Sequence, residues 1–433
     1  MYPKLKEYSF VKKVPEKDAN IFTYIQGMDR KIITINESAS NILGLCDGTH
    51  SIEDIAKTLS EEYDDEICEI EKNVSNFIQP FIDAGIIEDS KTSEPMHDIV
   101  RGSAEAYLPN SVCWEITDYC PLDCRHCYIP KKNNHVLEKD EIEKILDEIK
   151  HMGAYQVQLT GGEALTNPEF GYILKRLTDM KLLVSVSTSG FYSNDKIWND
   201  LENLKSNPLN IIRISLDGNE STHNYIRRNE NAYYNAIKFI EKAVERGLNC
   251  QIGTCLIDQT PSELEDMIKL VKNIGVKDVE IGRVSEQGNA KKNNLSTSWS
   301  ESTYQEFLQN MKQKYENSDF KIRQVGKLER RNCGAGYLSC RIKPNMDITP
   351  CPMIEIIMGN LNFESIDNIM KRSGKYFCML ETPQEKFCSK CEKQEDCKDC
   401  TAKGYNNKDK VQSCLWYEKS KNYLNMYDYA ENF

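Results

Sequence analysis

Short apolar runs alternate with amphipathic stretches between residues 110 and 285, and this alternation constrains the fold more than any other feature of the sequence. The apolar runs have the length of strands, and the stretches between them carry apolar residues at helical spacing. Alternating strands and helices predict an α/β fold, in which a parallel sheet packs against outer helices as an open or closed barrel. The six predicted strands are SVCWEITD, AYQVQLT, LLVSVST, IIRISLD, CQIGTCLI and DVEIGRV.

The size and charge of the chain narrow the possible classes of function. Its 433 residues suggest about three domains at roughly 150 residues each. The formal net charge is −12, which disfavours nucleic-acid binding because phosphate contacts need a basic face. No apolar run approaches the roughly 18 residues of a membrane helix, and the N-terminal MYPKLKEYSF lacks the apolar region of a signal peptide. We therefore predict a cytoplasmic protein without membrane contact.

The chain has 17 cysteines, far more than an ordinary cytoplasmic core holds. Thiols stay reduced in that compartment, so clustered cysteines indicate metal binding or catalysis rather than disulfides. One group lies in CPLDCRHCYIP, and a second lies beyond residue 330, where the sequence becomes irregular. The first group is Cys120, Cys124 and Cys127, and the second is Cys333, Cys340, Cys351, Cys388, Cys391, Cys397, Cys400 and Cys414.

The first cysteine group follows the first predicted barrel strand, at the end where barrel enzymes place their chemistry. Its spacing is C-x3-C-x2-C. Three thiolates can hold three irons of a [4Fe–4S] cluster and leave the fourth iron open, whereas ferredoxin-type clusters use four cysteines. A zinc site with a distant fourth ligand is the alternative, and the paired C-x2-C spacing of zinc sites disfavours it.

Three further segments accompany this loop at the ends of later strands. QLTGGEALTNPEF follows the second strand, the third strand ends in STSG, and the fourth reads RISLDG followed by HNYIRR. With the C-x3-C-x2-C loop, these segments resemble the radical SAM superfamily, whose members have GGE, TNG and S-x-D-G…H-x-x-x-R at corresponding places. The resemblance covers residues 110–285 and implies a partial (β/α)6 TIM barrel.

The resemblance implies a role for the residue at each matching position. Cys120, Cys124 and Cys127 would bind the catalytic cluster. The GGE segment would bind the methionine amino group of S-adenosylmethionine (SAM), and Asp217 and Gly218 would shape a turn. The cofactor-binding residues implied in this way are Gly161, Gly162, Glu163, Ser187, Ser215, Arg227, Tyr128 and His126.

The same resemblance implies the chemistry. The open iron would chelate the methionine moiety of SAM, and one electron from the reduced cluster would cleave the S–C5′ bond. The resulting 5′-deoxyadenosyl radical would take a hydrogen atom from the substrate. The cofactors supply this reactivity, and the protein supplies position and excludes water.

The cysteine-rich tail resembles the SPASM extension of radical SAM enzymes that modify peptides and proteins. This resemblance implies two auxiliary [4Fe–4S] clusters, hence three clusters in all, and a pair of structural zinc sites is the alternative. Two departures concern the ligand pairing: Met346 stands where the family usually has glycine, and CKDC is one residue shorter than the common C-x3-C. The implied ligand sets are Cys333, Cys340, Cys351 and Cys400 for one cluster, and Cys388, Cys391, Cys397 and Cys414 for the other.

The first 92 residues predict a separate winged-helix-like domain. The runs EYSFVKKV, NIFTYIQG and KIITIN read as strands, and three helices follow, one with Ser51 as its N-cap. The segment NESASNILGLCDGTHSIEDIAKTL resembles the PqqD-like peptide recognition element, which binds a leader peptide as an added strand. The leader would lie beside strand 31–36. DNA binding is the alternative, but the first 90 residues carry 9 basic and 18 acidic side chains.

The predicted domains follow from these resemblances. Residues 1–92 form the recognition element, 93–108 a linker, 109–320 the radical SAM core and 321–433 the SPASM domain. The predicted partners are a precursor peptide and a flavodoxin or ferredoxin that supplies electrons, with no nucleic acid and no membrane.

The predicted function is modification of a ribosomally synthesised precursor peptide, in which a cysteine sulfur is joined to a carbon of another residue as a thioether. Carbon–carbon crosslinking is the first alternative. Epimerisation is another, and it would need a hydrogen donor such as Cys255 or Cys378. A SPASM enzyme with a non-peptide substrate would leave the N-terminal domain without a role. A DNA-binding redox sensor would leave the GGE and SLDG segments unexplained.

Overall fold

The computed structural model describes residues 2–26, 29–90, 95–96, 98–129, 134–324 and 332–424. The chain divides into two compact units. The first contains residues 1–110, 147–154 and 366–374, and the second contains the remainder of the chain. The predicted recognition element falls within the first unit, and the six predicted barrel strands fall within the second.

In its described residues, the first unit contains six strands: β1 (Tyr2–Leu5), β2 (Phe10–Lys13), β3 (Asn20–Gln26), β4 (Asp29–Ile35), β5 (Ile87–Ser90) and β6 (Val100–Gly102). Four of them form a sheet in the order β4-β3-β2-β6, so β4 lies at one edge. β2, β3 and β4 are antiparallel, and Ile33 of β4 lies opposite Phe22 of β3. β1 and β5 pair separately as a two-stranded antiparallel sheet.

Three helices cover the four-stranded sheet: α1 (Glu37–Gly44), α2 (Ile52–Tyr63) and α3 (Ile67–Asp83). The predicted N-cap of α2 is confirmed: Ser51 Oγ accepts the Asp54 N–H at 3.1 Å, and Asp54 Oδ2 accepts the Ser51 N–H at 2.9 Å. These reciprocal bonds satisfy two amides at the helix start. The core between helices and sheet includes the buried residues Val11, Phe22, Leu43, Ile55, Val74 and Ile78.

The structure differs from the sequence prediction at both ends of this unit. β1 and β5 were not predicted, because four-residue strands without alternation carry little signal. The predicted linker 93–108 contains β6, which pairs in parallel with β2. α1 ends at Gly44, and Gly48 lies in a later turn with φ +82°. The sheet therefore extends into a stretch that the sequence predicts as a connection.

The second unit is built on seven parallel strands: β7 (Ser111–Glu115), β8 (Gln156–Thr160), β9 (Leu183–Thr188), β10 (Ile211–Ser215), β11 (Cys250–Leu256), β12 (Asp278–Arg283) and β13 (Lys321–Gln324). Consecutive strands are neighbours in the sheet. Alternate side chains such as Val112, Val157 and Val186 are fully buried. The residues between them have the opposite orientation and are half-buried.

Helices connect these strands: α4 (Lys139–His151), α5 (Phe170–Asp179), α6 (Asp195–Leu201), α7 (Glu220–Arg227), α8 (Ala232–Glu245), α9 (Pro261–Ile274), α10 (Gly288–Lys292) and α11 (Glu301–Tyr315). α9 shows how local sequence sets their ends. Thr260 Oγ1 accepts the Glu263 N–H at 3.2 Å, and Pro261 occupies the first turn, where no amide partner is needed. Gly275 ends the helix with φ +109°.

The C-terminal region adds three strands and five helices: β14 (Ser339–Ile342), β15 (Asp347–Thr349), β16 (Gly359–Asn360), α12 (Ile366–Met379), α13 (Glu385–Cys388), α14 (Gln394–Cys397), α15 (Thr401–Asn407) and α16 (Leu415–Leu424). β14 pairs in parallel with β7, so the sheet continues as β7-β14-β15-β16. Arg341 of β14 is 1% exposed and contacts Glu355 at 2.8 Å and Glu115 at 3.5 Å. A buried ion-pair network therefore links β14 to β7.

The predicted α/β fold with a parallel barrel-type sheet is confirmed, and the sheet is larger than predicted. β13 lies just beyond the boundary predicted at residue 320, and β14 comes from the segment predicted as the SPASM domain. Met346 precedes β15 with φ +66° and is fully buried, so this non-glycine residue adopts the left-handed conformation that glycine favours. None of the helices in the described ranges combines the length and apolarity needed to span a membrane.

Candidate active site

The three-cysteine loop follows β7 at the carboxyl end of the parallel strands. Cys124 is buried, and Cys120 and Cys127 are half-buried. The Cys127 N–H donates to the Cys124 carbonyl at 3.2 Å, so the loop turns between these two residues. The segments after β8, β9 and β10 reach the same edge of the sheet, because the carboxyl ends of parallel strands meet there. The loop therefore lies among the other motif segments.

The two glycines of GGE are required by close contact with the chain that leads into the cysteine loop. The Gly162 N–H donates to the Thr117 carbonyl at 2.8 Å. A Cβ on Gly161 would lie 2.1 Å from the Thr117 oxygen, and a Cβ on Gly162 would lie 2.2 Å from the Tyr119 oxygen. Gly161 also has φ +144°. No larger residue fits at either position without moving the backbone.

The carboxylate of Glu163 is buried and fully hydrogen-bonded within the protein. Oε1 accepts from Thr188 Oγ1 at 2.7 Å and from the Leu165 N–H at 3.3 Å. Oε2 accepts from the N–H and the hydroxyl of Ser189, at 2.8 and 2.5 Å. Burial raises the pKa of Glu163, and these hydrogen bonds oppose the rise. The side chain thus joins the GGE segment to the end of β9.

Arg227 lies between a carboxylate and the cysteine loop. Its Nε donates to Asp217 Oδ2 at 2.7 Å, and its Nη1 lies 3.8 Å from Cys124 Sγ. Burial is the strongest single influence and raises the pKa of Asp217, but Arg227 and the other neighbours of the carboxylate together outweigh burial and hold that pKa at about 2. Burial acts to lower the pKa of Arg227, but Asp217 and Cys124 raise it above its usual value. A fixed positive charge therefore faces the Cys124 sulfur.

Asp217 is itself held by its neighbours. Its Oδ1 accepts the Cys255 N–H at 3.0 Å, and its carbonyl accepts from Gln259 Nε2 at 2.8 Å. Nδ1 of buried His223 accepts the Asp217 N–H at 3.1 Å. Burial lowers the pKa of His223 to about 4, in keeping with a neutral ring that accepts at Nδ1. The sequence predicted a turn at Asp217, and the structure adds its ion pair with Arg227.

The other predicted SAM-binding residues lie near the same end of the sheet. Tyr128 donates its hydroxyl to Glu115 at 2.8 Å, and burial raises its pKa. Ser187 Oγ accepts from Gln158 Nε2 at 2.9 Å. Ser215 ends β10 and is half-buried. Burial lowers the pKa of His126 to about 4, and its Nδ1 has no hydrogen-bond partner within the described ranges. Direct contact of these residues with SAM stays a prediction.

Four cysteines of the C-terminal group line one cavity. Trp416 and Asn407 also line it. Asn407 Nδ2 lies 3.5 Å from Cys397 Sγ, and burial raises the pKa of Cys397 to about 11. The four cysteines are those predicted as one auxiliary ligand set: Cys388, Cys391, Cys397 and Cys414.

The other predicted auxiliary ligands lie around the start of β14 and the turn after β15. Burial, with a smaller effect from the nearby thiols of Cys400 and Cys333, raises the pKa of Cys351 to about 12. Cys340 is 1% exposed. Burial raises the pKa of Cys113, and the nearby Cys340 thiol also raises it. Among the described residues, no three His, Cys, Asp or Glu side chains form a group suited to a single metal ion. The cluster ligand sets stay predictions.

The sequence predicts no role for residues 287–293, which the structure places against the cysteine loop. The Asn289 N–H donates to the Cys127 carbonyl at 2.8 Å, and Asn293 Nδ2 donates to the Arg125 carbonyl at 2.8 Å. Their only signal in the sequence is position: the Asn-rich SEQGNAKKNN follows the last predicted strand, at the functional end of a barrel.

Residues 114–271 match the model of the Radical SAM superfamily. These residues form a radical SAM domain, and the chain is an enzyme. Residues 24–87 match the model of coenzyme PQQ synthesis protein D, PqqD. Together the two matches confirm the predicted resemblance to radical SAM maturases of ribosomally synthesised peptides. SAM and a radical SAM iron–sulfur cluster are therefore its cofactors.

The chain is similar to curated relatives and to solved structures. The chain is 23% identical over 424 residues to the antilisterial bacteriocin subtilosin biosynthesis protein AlbA of Bacillus subtilis (strain 168), with 94% of each chain covered. It is 25% identical over 297 residues to the sporulation killing factor maturation protein SkfB of that organism. This alignment covers 64% of the chain and 68% of SkfB. Streptococcus suis SuiB bound to SAM matches with a TM-score of 0.67 and 15% identity, covering 95% and 98% of the two chains. The match to SuiB shows a shared fold.

Proposed function

We propose that this radical SAM enzyme forms thioether crosslinks in a ribosomally synthesised precursor peptide. The observation that carries the proposal is the presence, in one chain, of a PqqD match, a three-cysteine loop at the barrel mouth and a cavity lined by four further cysteines. Maturases that resemble this layout commonly join a cysteine sulfur to carbon, and this family analogy favours thioethers over other crosslinks.

Residues of this chain would hold the cofactors as follows. Cys120, Cys124 and Cys127 would bind three irons of one cluster, and Arg227 would place its positive charge beside that cluster. The position of the loop suits this role, because it follows β7 at the edge of the sheet where the other motif segments end. The bound cluster and SAM supply a radical that takes a hydrogen atom from the peptide.

The eight C-terminal cysteines would hold two auxiliary [4Fe–4S] clusters in the predicted sets. The cavity between Cys388, Cys391, Cys397 and Cys414 supports the second set, because all four side chains line the same space. One auxiliary cluster would bind the substrate thiolate or accept an electron. A flavodoxin or ferredoxin would supply the electron that starts each turnover.

Atoms and electrons balance in the proposed crosslink. A C–H and an S–H bond of the peptide break, and a C–S bond forms. One hydrogen atom passes to the radical derived from SAM. The thiol proton goes to solvent, and the remaining electron passes to an auxiliary cluster. Each crosslink therefore removes two hydrogens from the peptide, about 2 Da.

The leader peptide would bind at the free edge of β4 as an added strand. Ile33 lies opposite buried Phe22 and therefore shares its face of the sheet, yet it is 37% exposed. An apolar leader side chain could cover Ile33 while backbone bonds form along β4. The structure of SuiB bound to its precursor peptide SuiA has a TM-score of 0.66 with this chain.

Ile33→Ser should weaken binding of a fluorescent leader about tenfold, since a buried apolar contact of this size is worth about 1.5 kcal/mol. Ile32→Ser is the matched control, because Ile32 points to the opposite face of β4 and is 45% exposed. SAM cleavage without peptide should be unchanged in both variants. Equal affinity of the leader for Ile33→Ser and for wild type would contradict the proposal that the leader binds at this edge of β4.

The test of the function uses anaerobically reconstituted enzyme, dithionite, SAM and a cysteine-containing precursor peptide encoded beside the gene. Intact and fragment mass spectrometry should show loss of about two hydrogens per crosslink, at cysteines that resist alkylation. The same mass loss with every cysteine still alkylated would replace the thioether by a carbon–carbon or carbon–oxygen bond.

Epimerisation is a second candidate, favoured by the position of Cys255. Cys255 is half-buried and lies two residues after Gly253 on β11, so the two positions are on the same face of the sheet. The Cys255 N–H donates to Asp217. A thiol beside the radical site could return a hydrogen atom to the substrate. Deuterium uptake from D2O without mass loss, abolished in Cys255→Ala, would establish epimerisation in place of crosslinking.

A further inference from the structure

Residues 287–293 contact the backbone of the three-cysteine loop at three successive points. The Asn289 N–H donates to the Cys127 carbonyl at 2.8 Å, and Asn289 Nδ2 donates to the Cys124 carbonyl at 3.1 Å. Asn293 Nδ2 donates to the Arg125 carbonyl at 2.8 Å. Two asparagines thus donate to three carbonyls between the second and third cysteines, of which the Cys124 carbonyl also accepts from the Cys127 N–H within the loop.

Gly288 lets this segment approach the loop. It has φ +48°, and a Cβ there would lie 2.5 Å from the Cys127 oxygen and 2.6 Å from the Tyr128 oxygen. A side chain at this position would push the segment away from the loop. The close approach is therefore built into the sequence of the segment as well as into its hydrogen bonds.

The opposite side of the loop is fixed to the end of α7. The Arg125 N–H donates to the Ile226 carbonyl at 2.8 Å. The Arg125 guanidinium lies 4.0 Å from the ring centre of Tyr225. Arg228 bridges the two sides: its Nη1 is 2.8 Å from Asp123 and its Nη2 is 3.2 Å from Asn293. The loop is held between two elements that follow different strands.

The same segment also reaches the turn that carries Cys351. Gln287 Nε2 donates to the Met353 carbonyl at 2.6 Å, and Asn406 Nδ2 donates to the same oxygen at 3.1 Å. Glu286 forms an ion pair with Lys410. A single short segment therefore contacts both the three-cysteine loop and the turn of a predicted auxiliary ligand.

We infer that residues 287–293 are a clamp that holds the three-cysteine loop in its cluster-binding shape and ties that shape to the Cys351 turn. Asn289, Asn293 and Gln287 are its positioning residues. The inference depends on the proposed function only in that the loop holds a cluster. Without the clamp, the Cys124 and Cys127 thiols would sample other positions, and the cluster would be bound less tightly and presented less uniformly to SAM.

The first test compares reconstituted Asn289→Ala, Asn289→Asp and the control Lys291→Ala. Lys291 lies on the same helix and is exposed. Iron release from the three-cysteine loop to a chelator should be about tenfold faster in both Asn289 variants, the change expected from losing one buried hydrogen bond. The change that SAM causes in the EPR spectrum of the reduced cluster should also become smaller and broader.

Asn289→Asp replaces the donor by a charged acceptor facing the Cys124 carbonyl, so Asn289→Leu is added, which keeps a side chain of similar size and removes the donor without adding charge. If Asn289 only filled space, the Leu variant would behave like wild type, and the inference would fail. Unfolding temperatures of the cluster-free proteins should stay close to wild type, which separates a loosened loop from a misfolded chain. A wild-type protein that bound no cluster in this loop would instead overturn the proposed function.

The second test addresses the link to Cys351. Gln287→Ala should increase backbone hydrogen exchange in residues 120–128 as well as in residues 351–354, and Lys291→Ala should change neither. Increased exchange in the Cys351 turn alone would refute the link while leaving the Asn289 contacts intact.

Discussion

Two buried acids organise the candidate active site at the scale of single residues. Glu163 takes four donors from three residues, and Asp217 pairs with Arg227 beside Cys124. Buried carboxylates are stabilised by such partners and are costly without them. These acids therefore shape the site before any cofactor binds.

Glu163→Gln should destabilise the cluster-free protein by about 2–3 kcal/mol, because the new amide presents donors to the N–H and hydroxyl of Ser189. Urea unfolding measures this loss. Glu230→Gln, on the surface, is the control and should change stability little. Loss of SAM binding with unchanged stability would contradict this organising role and leave Glu163 as a ligand contact alone.

The stability of the cluster-free protein should depend on pH through His223. Its pKa is about 4 in the folded chain and 6.5 ordinarily, so the unfolded chain binds the proton first. The contribution of neutral His223 to the free energy of unfolding is therefore fully present above pH about 6.5. It falls by about 3 kcal/mol as the pH drops towards 4. Asp217, with a pKa of about 2, stays ionised across this window.

His223→Asn removes the titrating ring and keeps an acceptor for the Asp217 N–H. Its free energy of unfolding, measured in urea at several pH values, should fall less between pH about 6.5 and 4 than that of wild type. Parallel pH profiles for the two proteins would assign the acid sensitivity to other groups.

Met346→Gly should destabilise the protein although glycine is usual in the family. Glycine would relieve a left-handed backbone at a gain of about 1 kcal/mol. Removing a fully buried methionine side chain costs about 2–5 kcal/mol. The second effect is larger, so denaturant unfolding should show a net loss. A more stable variant would mean that the backbone strain at this turn outweighs its packing.

At the scale of elements, β14 joins the cysteine-rich region to the barrel sheet. Arg341 and Glu115 face each other across β14 and β7, and both are nearly inaccessible, at 1% and 3% exposed. Such a pair adds little over an apolar pair, but loss of one partner leaves an uncompensated buried charge.

Arg341→Leu should therefore cost about 3–5 kcal/mol in urea unfolding of the cluster-free protein. Adding Glu115→Gln should recover part of that loss. Lys343→Leu is the control: Lys343 also pairs with Glu355, but it is 26% exposed and its loss should cost about 1 kcal/mol or less. Additive effects of the Arg341 and Glu115 changes would show that the two residues do not interact.

The sequence predicted the elements whose signal is local. β7 to β12 carry apolar residues at alternate positions and lie between helical stretches, and Ser51 marks the start of α2 by its own chemistry. β13 and β14 were missed because KIRQ and SCRI have little apolar alternation, and their pairing partners lie far away in the chain. Local patterns do not encode such pairing.

The candidate site shows the same division. The cysteines, the GGE segment and Arg227 belong to spaced motifs, so the sequence alone singled them out. Asn289 and Asn293 act through hydrogen bonds to backbone carbonyls, which impose no motif on the segment they hold. Only the folded chain shows which loop they meet.

At the scale of the whole molecule, three clusters would account for eleven of the 17 cysteines. Reconstituted protein should then contain about twelve irons, four per cluster. A variant with Cys120, Cys124 and Cys127 changed to alanine should retain about eight and cleave no SAM. Colorimetric analysis measures the iron content of both proteins. About eight irons in wild type would mean that the protein holds one auxiliary cluster instead of two.

The pairing of β7 with β14 has a consequence for how the chain is made. Ser111 and Ser339 are neighbours in the sheet, but ribosomes add roughly 5–20 residues per second. β7 therefore waits roughly 10–50 s during synthesis before its partner emerges. Throughout that interval the strand leading into the three-cysteine loop has one unpaired edge, a surface that invites pairing with other nascent chains. Slow completion of the sheet makes newly made chains of this enzyme natural clients of chaperones.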